Sequence, residues 1–488
     1  MERTYFSQDP EIIIEQMSVR HLFWVKVKGY FRKDVLMILT LTGIILGFAL
    51  GFGIRELHPS KDAIMWMGMP GELFLRVLRL MVLPLIVCSV ISGTASMDPR
   101  SNGKISLTAF LFIAATNVLA SGLGVVLCVV IQPGVGATHA TQINKTGSME
   151  TQDIFADLLR NIVPDNMVEA TFKQAQTQYS REIIHRARNT TNGTVIESLL
   201  VVSKSLGKVD SVNVLGLILI CTILGVAAHS VKDHAQVFLQ FFSGSTEIIL
   251  VIIRKLFWIA PLGIASLVAA AIAGITDIVE VFSHLGFFVL AVTVGILIHS
   301  FIVLPVILVV LTRQNPFAFL VSIIRPLLIG FATTATAVAI PEMLNSCEEK
   351  NKIDKRLARF VVPFCVTLNA DGSALYITSA AIFIGQTVFG SVSISDAVVI
   401  WILTSVAAFA IPSVPSASIV TLLIILTSLG YPTNGISLLF AVEWYLDRIR
   451  TSCNVISHTF CTAVSYRFCK KDLQHVEQRE NHEETAVL

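Results

Sequence analysis

Hydrophobic residues run along this chain in blocks, and the blocks have the length that crosses a hydrocarbon core, about 20 residues. Apolar stretches lie at 35–54, 73–96 and 105–132, and again at 213–229, 236–272 and 280–312. Between the two sets lies a long polar stretch from 133 to 212. Arg and Lys crowd just before the first block and in DPRSNGK between the second and third, while VKDH and LTRQNP punctuate the later blocks. The positive-inside bias places those basic segments in the cytoplasm. An odd number of crossings then puts the polar stretch outside, and that stretch carries the N-x-[ST] sequons at Asn144, Asn189 and Asn192. Two independent signals thus predict one topology.

Beyond residue 313 the pattern changes. The apolar stretches 316–346 and 393–431 are broken in the middle, the first by GFATTATAVAIPEML and the second by AAFAIPSVPSASIVT. Pro412 and Pro415 rule out an unbroken helical ladder in the second. Peptide groups freed at membrane depth must be buried in protein or line a wet cavity, so both stretches are predicted to be helical hairpins that enter and return. Two further spans, 354–388 and 433–467, bring the expected total to eight transmembrane helices plus two re-entrant hairpins. The fold class expected is an all-α polytopic membrane protein.

Composition sharpens this picture. Hydrophobic residues make up 54% and charged residues 14%, so water is not the main solvent. The formal net charge of +2 offers no excess to steer the chain to nucleic acid. The eight cysteines lie in or near apolar segments and none falls in 133–212, so no disulfide framework is expected. The first 30 residues lack a short apolar core with a cleavage site and read as a retained amino terminus. No nucleophile–base pairing, phosphate loop or metal-ligand spacing suggests an enzyme, and His185, His229, His234 and His299 read as packing or loop residues.

Two segments carry the candidate chemistry. In the 354–388 span, Asn369-Ala370-Asp371-Gly372 places an acid mid-membrane. An unpaired carboxylate there costs roughly 2.5 to 3.5 kcal/mol on insertion scales, so it should hold a cation or a partner, and the flanking Asn and Gly favour local unwinding that frees carbonyl oxygens. In the last span, a step of about 100° per residue sets Asp447, Arg450, Thr451, Asn454 and His458 in one stripe. A carboxylate for an ammonium group, a guanidinium for a carboxylate and an amide for either suit a dicarboxylic amino acid. The bland alternative is an Asp447–Arg450 ion pair that merely neutralises two charges. Arg448 falls off the stripe and is expected to snorkel or to pair with Glu443.

On these residues, together with MPGELFLRVLRLMVLPLI, GILIHSFIVLPVI, NADGSALY, LLIILTSLGYPT and WYLDRIRTSCNV, the chain resembles the dicarboxylate/amino acid:cation (sodium) symporter family, close to the animal excitatory amino acid (glutamate/aspartate) transporters. The resemblance implies a glutamate-transporter-type elevator fold in a homotrimer, embedded in the lipid bilayer of the plasma membrane with both termini cytoplasmic. It divides the chain into a cytoplasmic segment 1–34, spans 1–3 in 35–132, the start of span 4 and an extracellular glycosylated loop in 133–212, scaffold spans 4c and 5 in 213–272, the transport-domain core in 273–467, and a polar cytoplasmic tail, read as disordered, in 468–488. It further implies that Asp447 holds the substrate ammonium and Arg450 its side-chain carboxylate, with Thr451 and Asn454 completing the pocket. Thr336 of the first hairpin would supply backbone donors and Val414 of the second would close over the substrate. Asn369, Asp371 and Asn454 match sodium positions, as do Thr116 and Asn117.

Several residues depart from the family pattern. His458 stands where the family has a sodium-ligating aspartate, and imidazole suits a hard alkali cation less well than carboxylate. Ile377 stands where acidic-substrate members have a glutamate tied to proton and potassium coupling, and Ala408 and Ile411 replace hydroxyl or backbone ligands. The expected function is a sodium-driven symporter of glutamate or aspartate with altered coupling, with sodium as coupling ion, chloride as a permeant ion and no other cofactor. The alternatives are an amino acid exchanger or an amino-acid-gated anion channel.

Overall fold

The computed structural model describes residues 35–95, 103–136, 151–190, 193–274, 278–433 and 435–487. In chain order these form α1 (Val35–Arg55), α2 (Lys61–Ala95), α3 (Gly103–Ile131), α4 (Thr151–Ile162), the strands β1 (Lys173–Thr190) and β2 (Gly193–Asp210), α5 (Val214–Val231), α6 (Gln236–Leu256) and α7 (Ala260–Gly274). They continue as α8 (Ile278–Ile298), α9 (Leu304–Thr312), α10 (Pro316–Ser322), α11 (Ile324–Thr333), α12 (Ile340–Asn345), α13 (Lys355–Leu368), α14 (Asp371–Phe389), α15 (Ile394–Ala407), α16 (Ala417–Ser428) and α17 (Ile436–Val487). Among the described residues seven helices are long and apolar enough to cross a membrane, or eight if the bent pair α10–α11 counts as one span. The apolar body is therefore that of an all-helical, multi-pass membrane protein. The last predicted span lies within α17, which is not in that apolar set.

The helix breaks follow from local chemistry. The 236–272 apolar stretch is two helices, because Pro261 has no N–H and sits where a new helix can begin. Between α8 and α9 the chain widens into a π-helical turn, His299–Val303, just before Pro305, whose ring cannot donate back to the preceding turn. Asn315 caps α10 by accepting from the N–H groups of Phe317 (3.0 Å) and Ala318 (3.3 Å). A 59° bend separates α10 from α11, Thr334 in a left-handed conformation ends α11, and a short 3₁₀ turn at Thr336–Ala339 leads into α12. The second broken stretch leaves its helix at Ala407, passes through 411–416 without regular structure and resumes at Ala417.

The chain divides into two compact units. In the first, residues 35–75 join Lys255–Gly274. There Gly43 and Gly47 lie against the backbone of Pro261 and Ala265, so α1 and α7 approach closely, and Ser266 Oγ links the Gly71 N–H (3.1 Å) to the Met67 carbonyl (2.5 Å). In the second unit a core of Ile113, Leu308, Phe319, Met343, Val361 and Phe460 draws α3, α9, α10, α12, α13 and α17 together. Helix α14 is buried on every side from Asp371 to Gln386, so its polar residues Asp371, Ser373, Thr378, Ser379 and Gln386 are buried with its apolar ones. Gly372 is required where α14 meets α17, since a Cβ there would lie 2.6 Å from the Arg450 carbonyl oxygen.

The polar stretch holds more order than its composition suggests. Past α4, β1 and β2 pair antiparallel from Lys173↔Asp210 to Thr190↔Gly193. Buried Asp157 anchors the base of this hairpin by accepting from Thr177 N (2.6 Å), Thr177 Oγ1 (2.8 Å) and Arg160 Nη1 (2.8 Å). Lys208 donates to Glu169 at 2.7 Å; that hydrogen bond holds the Glu169 carboxyl below its ordinary range and raises the Lys208 ammonium. The tail expected to be disordered from residue 468 is instead the continuation of α17 to Val487.

Candidate functional site

Breaking two apolar stretches and one span leaves polar backbone and side chains facing the middle of α17. Asp447, Thr451 and Asn454 of α17, Thr336 of the first break, Val414 of the second and Asn369 of the α13–α14 turn line one cleft. Five of the six predicted substrate residues are thereby brought together. The two broken stretches meet across it: Thr336 Oγ1 and Ser413 Oγ share a hydrogen bond, and Ala337 N donates to Ser413 Oγ at 3.0 Å. Ser416, in a left-handed conformation, donates its N–H to Asp447 Oδ2 at 3.0 Å. The Thr451 hydroxyl donates to the Asp447 carbonyl at 2.8 Å, one turn back on its own helix. Ile411 lines the cleft as an apolar wall, and Ala408 is fully buried.

The sixth residue, Arg450, is 1% exposed and does not line the cleft. Its Nη2 donates to Asp447 Oδ1 at 2.7 Å and to Glu443 Oε1 at 2.5 Å, and its Nη1 donates to Glu443 Oε2 at 3.1 Å. The Tyr376 ring of α14 lies under the guanidinium at 4.0 Å, a cation–π platform inside the protein. Glu443 thus belongs to Arg450; the expected pairing with Arg448 does not form, and Arg448 Nη1 donates to the Trp444 carbonyl at 2.6 Å. Neither the bland nor the functional reading of the stripe includes a second carboxylate on the guanidinium.

Asn369 also joins Asp371 and His458 in a buried polar group beside the cleft. Asp371 Oδ2 accepts from Ser457 Oγ at 2.5 Å and lies 3.3 Å from His299 Nε2, while Asn369 Nδ2 donates to Ser457 Oγ at 2.8 Å. His458 Nε2 lies 3.0 Å from the Asn369 carbonyl oxygen. Asp371 Oδ1 and Asn369 Oδ1 have no hydrogen-bond partner although both are buried, and a carboxylate and an amide oxygen left in that condition suit a hard cation. Asn454 Oδ1 accepts the Gly372 N–H at 2.9 Å, tying the cleft to this group. Thr116 and Asn117 are fully buried on α3, which packs along α14, and both amide atoms of Asn117 lack partners. Ile377 is fully buried beside Tyr376 and carries no ionisable group.

Sequence reasoning misses Glu443, Tyr376, Ser413, Ser457 and His299. His299 reads from the sequence as a packing or loop residue, yet it touches the buried Asp371 carboxylate. Of the three sequons, Asn144 and Asn192 lie outside the described residues, and Asn189 sits in β1 opposite Thr194.

The sodium:dicarboxylate symporter family profile matches residues 36–468. The chain is 33% identical to excitatory amino acid transporter 1 of Ambystoma tigrinum over 490 residues, covering 97% of this chain and 90% of that protein. It is 34% identical to excitatory amino acid transporter 2 of Homo sapiens over 499 residues, covering 98% and 87%. An excitatory amino acid transporter of Onchocerca volvulus is 36% identical over 453 residues, covering 91% and 92%.

Proposed function

Because the chain belongs to the sodium:dicarboxylate symporter family, we propose that it is a secondary active symporter carrying an acidic amino acid, L-glutamate or L-aspartate, inward across the plasma membrane on the sodium gradient. The observation that carries this reading is a buried arginine and aspartate, Arg450 and Asp447, held side by side next to a cleft over which two broken helices meet. Asp447 takes the substrate ammonium group, Arg450 the side-chain carboxylate, and Asn454 and Thr451 the flanks. The short helix start at Thr336 and the Val414 tip cover the substrate. Sodium travels as a co-substrate, and Asp371, Asn369 and Asn454, with Thr116 and Asn117, supply its oxygens; the orphaned oxygens of Asp371 and Asn369 support that role. Ile377 cannot titrate, which favours transport without potassium countertransport.

The family resemblance extends the proposal to the assembly. The chain works as a homotrimer in the lipid bilayer with both termini cytoplasmic. The two broken stretches serve as re-entrant hairpins of a moving transport domain in 273–467, with a scaffold that includes 213–272. The loop 133–212 is extracellular and glycosylated at Asn144, Asn189 and Asn192. Chloride permeates by a separate path.

Radiolabelled aspartate uptake into proteoliposomes tests this directly. Uptake should require external sodium and be competed by unlabelled glutamate. Uptake that persists when choline replaces sodium would reject the coupling, and competition by serine alone would reject the acidic substrate.

A further inference from the structure

The guanidinium expected to receive an acidic side chain is already engaged. Two parallel bonds from Nη1 (3.1 Å) and Nη2 (2.5 Å) of Arg450 end on the two carboxylate oxygens of Glu443. This fork-to-fork geometry is the one a guanidinium offers to a single carboxylate. Nη2 also serves Asp447 at 2.7 Å, and Nε alone has no partner. Glu443 is 4% exposed, so its carboxylate is buried along with the arginine it holds. The Tyr376 ring, 4.0 Å from the guanidinium carbon, closes one face of the plane. With Glu443 on both arms and Asp447 sharing Nη2, Nε is the one guanidinium nitrogen left without a partner, so a substrate carboxylate finds no unengaged pair of donors to grip by two parallel bonds.

We propose that Glu443 is a specificity-determining residue of this carrier, an internal carboxylate that occupies the Arg450 fork in the empty site and competes with the side-chain carboxylate of an acidic substrate for it. The inference rests on the reading that Arg450 receives that carboxylate. Its consequence for selectivity follows from what each substrate asks of the fork. An amino acid with a neutral side chain leaves the Glu443–Arg450 pair intact and needs only Asp447 and the hydroxyl-bearing walls of the cleft. To be held by two parallel bonds an acidic substrate must draw at least one arm away from Glu443 or Asp447, since Nε alone is unengaged, and it then brings a further negative charge beside two carboxylates that share one guanidinium. Glu443 therefore lowers the affinity for acidic substrates relative to neutral ones and sets the ratio between them, although it acts only through Arg450.

Glu443→Gln keeps the side-chain length and one acceptor oxygen but removes the charge and one arm of the pairing. Michaelis constants for aspartate and for serine, measured side by side in proteoliposomes, give the deciding quantity, the aspartate-to-serine ratio. It should fall roughly five- to tenfold in the variant, the weight of one charge-assisted hydrogen bond removed from the competitor. Glu443→Asp, one methylene shorter on the same helix, cannot reach both arms and should move the ratio in the same direction by less. It also supplies the readout if the amide variant does not reach the membrane. A residue that only held the fold together would weaken the handling of both substrates alike, so an unchanged or increased ratio in either variant overturns the proposal. The wild-type protein reads the underlying assignment separately. If it carries serine but no aspartate, the acidic-substrate reading fails, while a gain of aspartate uptake in Glu443→Gln would still sustain the competition between Glu443 and the substrate carboxylate.

Discussion

Arg450 can be buried at 1% exposure only because two carboxylates and an aromatic face surround it. Replacing it by Cys leaves Glu443 and Asp447 as unneutralised neighbours, a loss on the order of 3–5 kcal/mol when one partner of a buried pair is removed. The expected outcome of Arg450→Cys is loss of aspartate uptake with small neutral amino acids preferred, read by competition; unchanged selectivity would remove the guanidinium from its role. At His458 the imidazole lies 3.0 Å from the Asn369 carbonyl, an oxygen a cation could otherwise use. His458→Asp should raise the apparent sodium affinity in a sodium-titrated uptake assay, and an unaltered titration would mean that the cation is held elsewhere. The stripe on α17 is legible in the sequence because helical periodicity is rigid. The same arithmetic puts Glu443, seven residues before Arg450, within about 20° of it, so that partner is readable too. Arg448, the nearer basic residue in sequence, draws the pairing away from it. Tyr376 and Ser413 are not readable, since their contacts cross between elements whose packing no local pattern encodes.

At the level of elements, the broken helices announce themselves through Pro412, Pro415, Pro341 and the hydroxyl-rich runs, residues that deny the backbone its ladder. The β-hairpin does not, because its strands are polar and lack clean alternation; Asn192-Gly193, the strongest hairpin signal available, doubles as part of a sequon. The continuation of α17 past residue 468 escapes notice for a related reason, since a run of charged and amide residues describes a solvated helix as well as a disordered end. Asp157 offers a test of how the hairpin is fastened. Asp157→Ala strands the Thr177 N–H and hydroxyl and should cost about 1–3 kcal/mol locally. Limited proteolysis should then cut within 173–210 faster while sodium-driven uptake persists. The rim pair Lys208–Glu169 gives the hairpin the same support at any ordinary pH. With Glu169 lowered and Lys208 raised, its contribution is present throughout the middle range and is lost only as pH falls through the depressed carboxyl or climbs through the raised ammonium. The proteolysis difference should therefore be the same near about pH 5 and pH 8.

Considered as a whole, the described part of the molecule gathers much of the candidate site on one rod. Glu443, Asp447, Arg450, Thr451, Asn454, Ser457 and His458 all project from α17, and every other element of the site reaches toward it. A ligand that binds only the folded state stabilises it by about 2.7 kcal/mol at a hundredfold excess over its dissociation constant. Sodium and aspartate should each raise the melting temperature of the detergent-solubilised protein, and choline should not. Among these residues Asn454 has an unusual station: it lines the cleft, and its amide oxygen fastens the backbone of Gly372, the neighbour of Asp371. On the proposed assignment, one side chain borders both the amino acid and the cation. Thermodynamic linkage then demands a symmetric bargain: by whatever factor the cation tightens the amino acid, the amino acid must tighten the cation. Two calorimetric titrations run in opposite order would close that cycle, and cutting the Asn454 tie should shrink both factors together.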